Sequence, residues 1–148
     1  MKYSLDELQS VTQKLTSVIA PKDIIGINGP LGAGKTTLIK ALCSHWDIPT
    51  DEVTSPTYVY HHIYEGKIKV HHMDLYRIES EDILQSLDLV SFAQGNDVTF
   101  VEWMELYPDA FGSYLEIQIE ILNDQDRELS FNLARLSIED QMRFAKVL

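Results

Sequence analysis

Gly29-Pro30-Leu31-Gly32-Ala33-Gly34-Lys35-Thr36, with Thr37 after it, fits the pattern G-x-x-x-x-G-K-[ST]. Residues of these types at this spacing can enclose a chain of phosphates. Several negative charges must be met by donors at once, and backbone N–H groups converge only where side chains do not intervene. Gly29, Gly32 and Gly34 allow that approach and the dihedral angles it needs. A helix beginning at the loop's end adds the positive pole of its dipole. The pattern predicts that Lys35 reaches the outer phosphates and that the Thr36 hydroxyl ligates Mg²⁺. Gly29, Leu31, Gly32, Ala33, Gly34, Lys35, Thr36 and Thr37 are the expected contacts of a nucleoside triphosphate.

Such a ligand also calls for acids. Val98-Thr99-Phe100-Val101-Glu102 reads as an apolar strand whose terminal carboxylate emerges beside the nucleotide crevice. Glu102 is the expected second metal group, reaching the ion directly or through a water, where an Asp is more usual. Asp74 stands near the end of a second strand-like run and is suited to orient or deprotonate an attacking water. Arg77 beyond it has the chemistry to pair with an acid or meet a phosphate. Thr54-Ser55-Pro56-Thr57 places hydroxyls in a loop where Pro56 restricts Ser55, a candidate switch facing the outermost phosphate. On residue chemistry alone, an ordinary turn competes with that role for Thr57, and a surface ion pair with the roles of Asp74 and Arg77.

These groups need a scaffold, and the flanking residues supply one. Ile24–Asn28 is apolar enough for a short buried strand before the loop, and Thr37–Leu42 continues as helix. Ser4-Leu5-Asp6-Glu7 has the form of a capping box, and Leu5, Leu8, Val11, Leu15 and Val18 give the helix after it one apolar face. Tyr58–Tyr64 and Lys67–Leu75, joined at Glu65-Gly66, predict a hairpin. Ser80 caps a short helix through Leu87, and Ser137 caps a last one. Leu115–Ile121 and Leu129–Leu133 alternate apolar with polar residues around the turn Asn123–Asp126, a second antiparallel pair. The expected fold class is α/β, a three-layer P-loop NTPase-like domain with a mixed central sheet, one domain over residues 1–148.

Composition narrows the function. A net charge of −11 with only twelve Lys and Arg argues against a general nucleic-acid binder, whose surface must neutralise phosphates. The single cysteine, Cys43, forms no internal disulfide and reads as a small core residue compatible with a reducing compartment. No apolar run approaches a membrane span or a leader segment, so a soluble cytoplasmic protein is expected. His61, His62, His71 and His72 fall on the two arms of the first hairpin. They bring imidazoles within reach of one another, but their spacing supplies no tetrahedral set and no thiolate lies near.

In combination, Gly29–Thr37, Ser55-Pro56-Thr57-Tyr58, His72-Met73-Asp74-Leu75-Tyr76-Arg77 and Glu102-Trp103 resemble, in order and separation, the TsaE (YjeE) family. The resemblance runs from the first helix to about Pro108. It departs at Met104, where the family often has Pro, and at Asp88, where a Gly is expected. The family comprises the P-loop ATPases of bacterial tRNA threonylcarbamoyladenosine synthesis. The resemblance implies ATP and Mg²⁺ as ligands, with Glu102 beside Thr36 at the metal and Asp74, Lys35 and Thr57 in hydrolysis. It also implies action with the TsaB–TsaD pair, in which TsaD modifies the N6 of adenosine at position 37 of tRNA. This chain would then meet tRNA only through the complex, resetting the assembly between rounds.

Two other functions fit a phosphate loop. A small-molecule kinase needs several arginines around its phosphates, and only Arg77, Arg127, Arg135 and Arg143 are present. A nucleotide-dependent binding switch would bind partners with negligible turnover. No N-K-x-D or D-x-x-G segment points to a guanine-specific switch.

Overall fold

The computed structural model describes residues 1–148. The chain runs β1 (Lys2–Ser4), α1 (Leu8–Thr16), β2 (Ile24–Asn28), α2 (Lys35–Ser44), β3 (His61–Glu65) and β4 (Lys69–Asp74). It continues through α3 (Glu81–Ser86), α4 (Leu89–Ala93), β5 (Val98–Glu102), β6 (Leu115–Ile121), β7 (Asp126–Asn132) and α5 (Ile138–Ala145). All seven strands join in one sheet of order β1-β7-β6-β2-β5-β4-β3. The middle strands β6, β2, β5 and β4 are mutually parallel, β7 and β3 flank them antiparallel, and edge strand β1 pairs antiparallel with β7. The sheet is mixed, as expected.

β2 and β5 are buried at every position, as strands covered on both faces must be. Their alternating side chains serve two cores. Ile25, Ile27 and Phe100 pack with Leu15 of α1, Leu38 and Leu42 of α2 and Phe144 of α5. Val101 and Met73 face the opposite layer, with Leu84 of α3, Leu89 of α4 and Tyr114. Helices therefore cover both faces, giving three layers. Cys43 belongs to the first core, wholly buried, and burial pushes its thiol up to about 12.

Local chemistry accounts for most boundaries. The Glu7 carboxylate accepts from the Ser4 N–H at 2.8 Å and the Ser4 hydroxyl at 3.1 Å, but the turn it opens is 3-10 over Leu5–Glu7, so the α-helix starts only at Leu8. Ser80 accepts from the Ile83 N–H at 3.3 Å and Ser137 from the Asp140 N–H at 3.1 Å, the two caps expected. The first hairpin forms, but its leading strand begins at His61 instead of Tyr58. Val59 and Tyr60 both donate their N–H to the Pro56 carbonyl, and Tyr60 takes φ +70°, which no strand accommodates. β1 and α4 were not expected. β1 has three residues, too few to show a period, and is held by pairing with β7. α4 follows Asp88, whose φ of +57° explains why a glycine suits this position.

Gly26 shows how closely the layers meet. A Cβ on this β2 residue would lie 2.8 Å from Met104 Cγ and 3.2 Å from Tyr114 Cδ2. The missing side chain lets the turn after β5, with Trp103 and Met104, close over β2. Gly26→Ala should therefore cost about 1–3 kcal/mol through overpacking. Chemical denaturation measures this; an unchanged midpoint would show that Met104 yields freely.

Candidate functional site

The glycine-rich loop joins β2 to α2, and its backbone follows the residue types. Gly29, Gly32 and Gly34 have φ of +154°, +77° and +103°. A Cβ at Gly32 would meet nothing within 4 Å, and one at Gly34 only the Thr37 Cβ at 3.9 Å, so these glycines serve conformation and access rather than packing. Lys35 opens α2 and is buried. Its ammonium donates to the Gly29 and Pro30 carbonyls at 2.6 and 3.0 Å and lies 4.0 Å from the centre of the Trp103 ring. Burial lowers its pKa, and Glu102, Glu105 and Asp74 act against that shift. The loop is braced from behind by Arg127, whose Nε donates to the Ala33 carbonyl at 3.0 Å.

The acids arrive on the neighbouring strands. Register makes Glu102 the partner of Ile27 across β2–β5 and of Asp74 across β4–β5, so both carboxylates emerge at the same end of the sheet as the loop. Both are almost wholly buried, at 3% and 1% exposure. Glu102 Oε2 accepts from the Thr36 hydroxyl at 2.9 Å and from His72 Nε2 at 2.6 Å. Asp74 accepts through Oδ2 from Thr57 at 2.9 Å and through Oδ1 from the Tyr76 N–H at 2.8 Å. Burial raises the Asp74 pKa, the Tyr76 and Thr57 bonds oppose this, and the nearby Glu102 adds to it. Ser55 extends the set, 2.6 Å from Thr57.

Leu31, Gly32, Gly34, Lys35, Thr36 and Thr37 meet Thr57, Asp74 and Glu102 around one cavity of about 300 Å³. Gly29 does not line it, but its carbonyl accepts from the Lys35 ammonium. Ala33 turns its side chain into the core behind the loop. Arg77 does not join: its guanidinium stacks over Tyr58, 4.8 Å from the ring centre. Two residues at the site were named in the family motifs but given no role there. Trp103 reaches Lys35 only because it adopts φ +61° immediately after β5. His72 was visible as an imidazole but not as a partner of Glu102, although two-residue alternation places it on the same face as Asp74.

The four hairpin histidines divide. His61 Nε2 lies 2.7 Å from His71 Nδ1, and His71 Nε2 lies 3.0 Å from Asp97 on the α4 side of the sheet. His72 faces Tyr64 on the other side. Burial pushes His61 down to about 4. Nowhere do three or more His, Cys, Asp or Glu side chains converge on a point where a metal would sit. No helix is long and apolar enough to cross a membrane.

A glycine loop between a buried strand and a helix, facing acids on adjacent parallel strands, defines a P-loop NTPase-like domain. Comparison with known proteins makes the assignment particular. The family model for the threonylcarbamoyl adenosine biosynthesis protein TsaE matches residues 3–129. The tRNA threonylcarbamoyladenosine biosynthesis protein TsaE of Bacillus subtilis (strain 168) is 37% identical over 121 residues, 80% of this chain and 75% of that protein. The Nostoc sp. and Treponema pallidum proteins of that name are 30% and 31% identical, covering 85% and 72% of this chain and 80% and 79% of theirs. The crystal structure of Bacillus subtilis YdiB superposes with a TM-score of 0.71 at 25% identity, covering 99% of this chain and 93% of that one. The chain belongs to the TsaE family of tRNA threonylcarbamoyladenosine biosynthesis.

Burial of Asp74 has a measurable consequence. Its carboxyl is raised in the folded protein, so the fold keeps a proton that the unfolded chain has already lost. Stability must then fall as pH rises from the ordinary carboxylate value through the raised one. Asp74→Asn lacks this loss. Its melting temperature should exceed wild type at neutral pH, and the gain should vanish below the ordinary carboxylate range. Parallel curves of melting temperature against pH would contradict the assignment.

Proposed function

We propose that this chain binds ATP with Mg²⁺ at the glycine loop and hydrolyses it, coupled to the TsaB–TsaD complex that modifies tRNA. The observation that carries the reading is the hydrogen bond from Thr36 to Glu102. A hydroxyl that gives its hydrogen to a carboxylate keeps its lone pairs for a cation, and that carboxylate can hold the cation's waters. The buried acids match the charge of such a cation, and the open backbone at Gly32 and Gly34 suits the phosphates it would accompany. Thr36 and Glu102 would hold Mg²⁺, which would supply positive charge beside the outer phosphates. A second cleft of about 150 Å³, bounded by Tyr3, Leu5, Leu8, Ala33, Thr37 and Arg127, offers apolar walls suited to the base. None of Arg77, Arg127, Arg135 and Arg143 lines the main cavity, which favours hydrolysis over transfer to a phosphorylated acceptor.

In this mechanism the residues divide the work. Lys35 leaves its loop carbonyls to meet the phosphates, and the loop N–H groups complete their enclosure. Asp74 orients the attacking water and only secondarily takes its proton, while Thr57, bonded to Asp74, presents a hydroxyl beside it. The chain meets tRNA only through the complex, in the cytoplasm where the modification is made.

Removing the Lys35 ammonium should cost about 1.5–3 kcal/mol of ATP affinity, the range for a hydrogen bond to a charged group. Unchanged calorimetric affinity in Lys35→Ala would refute the site. Asp74→Asn should bind ATP nearly normally but release phosphate much more slowly with TsaB and TsaD present. Wild-type turnover with weakened ATP binding would make Asp74 a binding residue instead. The test of the whole reading is a pull-down of TsaB and TsaD with and without ATP. Nucleotide-dependent recovery together with phosphate release supports it; recovery without phosphate release would indicate a switch.

A further inference from the structure

His72 is the most buried polar group at the site, with no exposed surface, and the proposed chemistry does not use it. Its two ring nitrogens are both engaged. Nε2 lies 2.6 Å from Glu102 Oε2, and Nδ1 lies 2.8 Å from the Tyr64 hydroxyl. That hydroxyl in turn lies 3.2 Å from the Thr54 carbonyl, at the start of the loop that carries Ser55 and Thr57. An ionised carboxylate only accepts hydrogen bonds, so Nε2 must carry the hydrogen directed at Glu102.

Glu102 ends its strand and lines the cavity, where the Thr36 hydroxyl alone would leave its carboxylate one side-chain anchor. The imidazole supplies a second. It holds Oε2 at the point where the Thr36 hydroxyl also donates, so one oxygen is fixed from two sides. β4 sets the ring's place, because His72 pairs in register with Phe100, two residues before Glu102. Tyr64, itself buried, stops the ring from rotating away. This is the arrangement by which groups behind a metal's ligands fix the ligands' orientation.

We propose that His72, backed by Tyr64, is the positioning residue of the Glu102 carboxylate and thereby sets the affinity of the nucleotide site for Mg²⁺. The inference rests on the reading of the site as one for Mg²⁺ and ATP. Two conservative variants separate positioning from packing. The amide nitrogen of Gln falls near the place of Nε2 and can still donate to Glu102, whereas that of Asn falls near Nδ1 and cannot reach it.

ATP binding is followed by calorimetry against Mg²⁺ concentration and again in chelator. His72→Asn should raise the Mg²⁺ concentration for half-maximal effect by about 10–100-fold, the range for groups behind metal ligands. His72→Gln should stay within about threefold of wild type, and both should match wild-type ATP affinity in chelator. Wild-type Mg²⁺ dependence in His72→Asn, or equal loss in both variants, overturns the inference while the site reading stands. A wild-type protein whose ATP binding ignores Mg²⁺ overturns both. Should His72→Asn fail to fold, nitrogen NMR of the wild-type imidazole without metal or nucleotide decides: a hydrogen on Nε2 supports the donation, and a bare Nε2 overturns it.

Discussion

Asp74 and Glu102 are direct register partners at the ends of adjacent parallel strands, and both are buried. Two carboxylates so placed repel one another and lose their hydration, a cost that side chains around them must offset. Thr36 and His72 donate to one; Thr57 and the Tyr76 N–H donate to the other. The Lys35 ammonium supplies the nearby positive charge, and its own burial is eased by the same acids. Much of the local architecture follows from keeping these two buried acids hydrogen-bonded and in place.

The sheet makes that possible by separating tasks between its faces. On β4, Val70, His72 and Asp74 share one face, while His71 and Met73 share the other. Only the first set meets the loop and Tyr64; the second packs toward α4 and Asp97. The Thr54–Thr57 segment touches both acids from one side, Asp74 through Thr57 and Glu102 through Tyr64 and His72. Trp103 completes the enclosure, its ring beneath the Lys35 ammonium and beside Tyr76, with ring centres 4.8 Å apart.

What could be read in advance was whatever local residue types determine. The glycine loop, the buried strands on either side of it and the caps at Ser80 and Ser137 depend on neighbours within a few positions. Thr57, Asp74 and Glu102 emerged from strand ends and from the family's motif order, and the fold gathers all three around one cavity. What could not be read depends on distant partners. Tyr58–Tyr60 has strand-forming side chains, yet the Pro56 carbonyl draws the backbone into a turn. Three-residue β1 exists only because β7 offers an edge. The approach of Trp103 to Lys35 requires a left-handed residue after β5. His72 stood out as an imidazole of the hairpin and as the first residue of a family motif; its pairing with Glu102 required the relative placement of β4 and β5.

The proposed function requires that the loop and the two acids form one site for a metal-bound triphosphate. Calorimetric titration of the wild-type protein with ATP, in Mg²⁺ and then in chelator, tests it most directly. A single saturable site is expected, its affinity clearly tighter with Mg²⁺, because the Glu102 and Thr36 oxygens would then have their cation. No saturable binding, or equal binding in chelator, would contradict it.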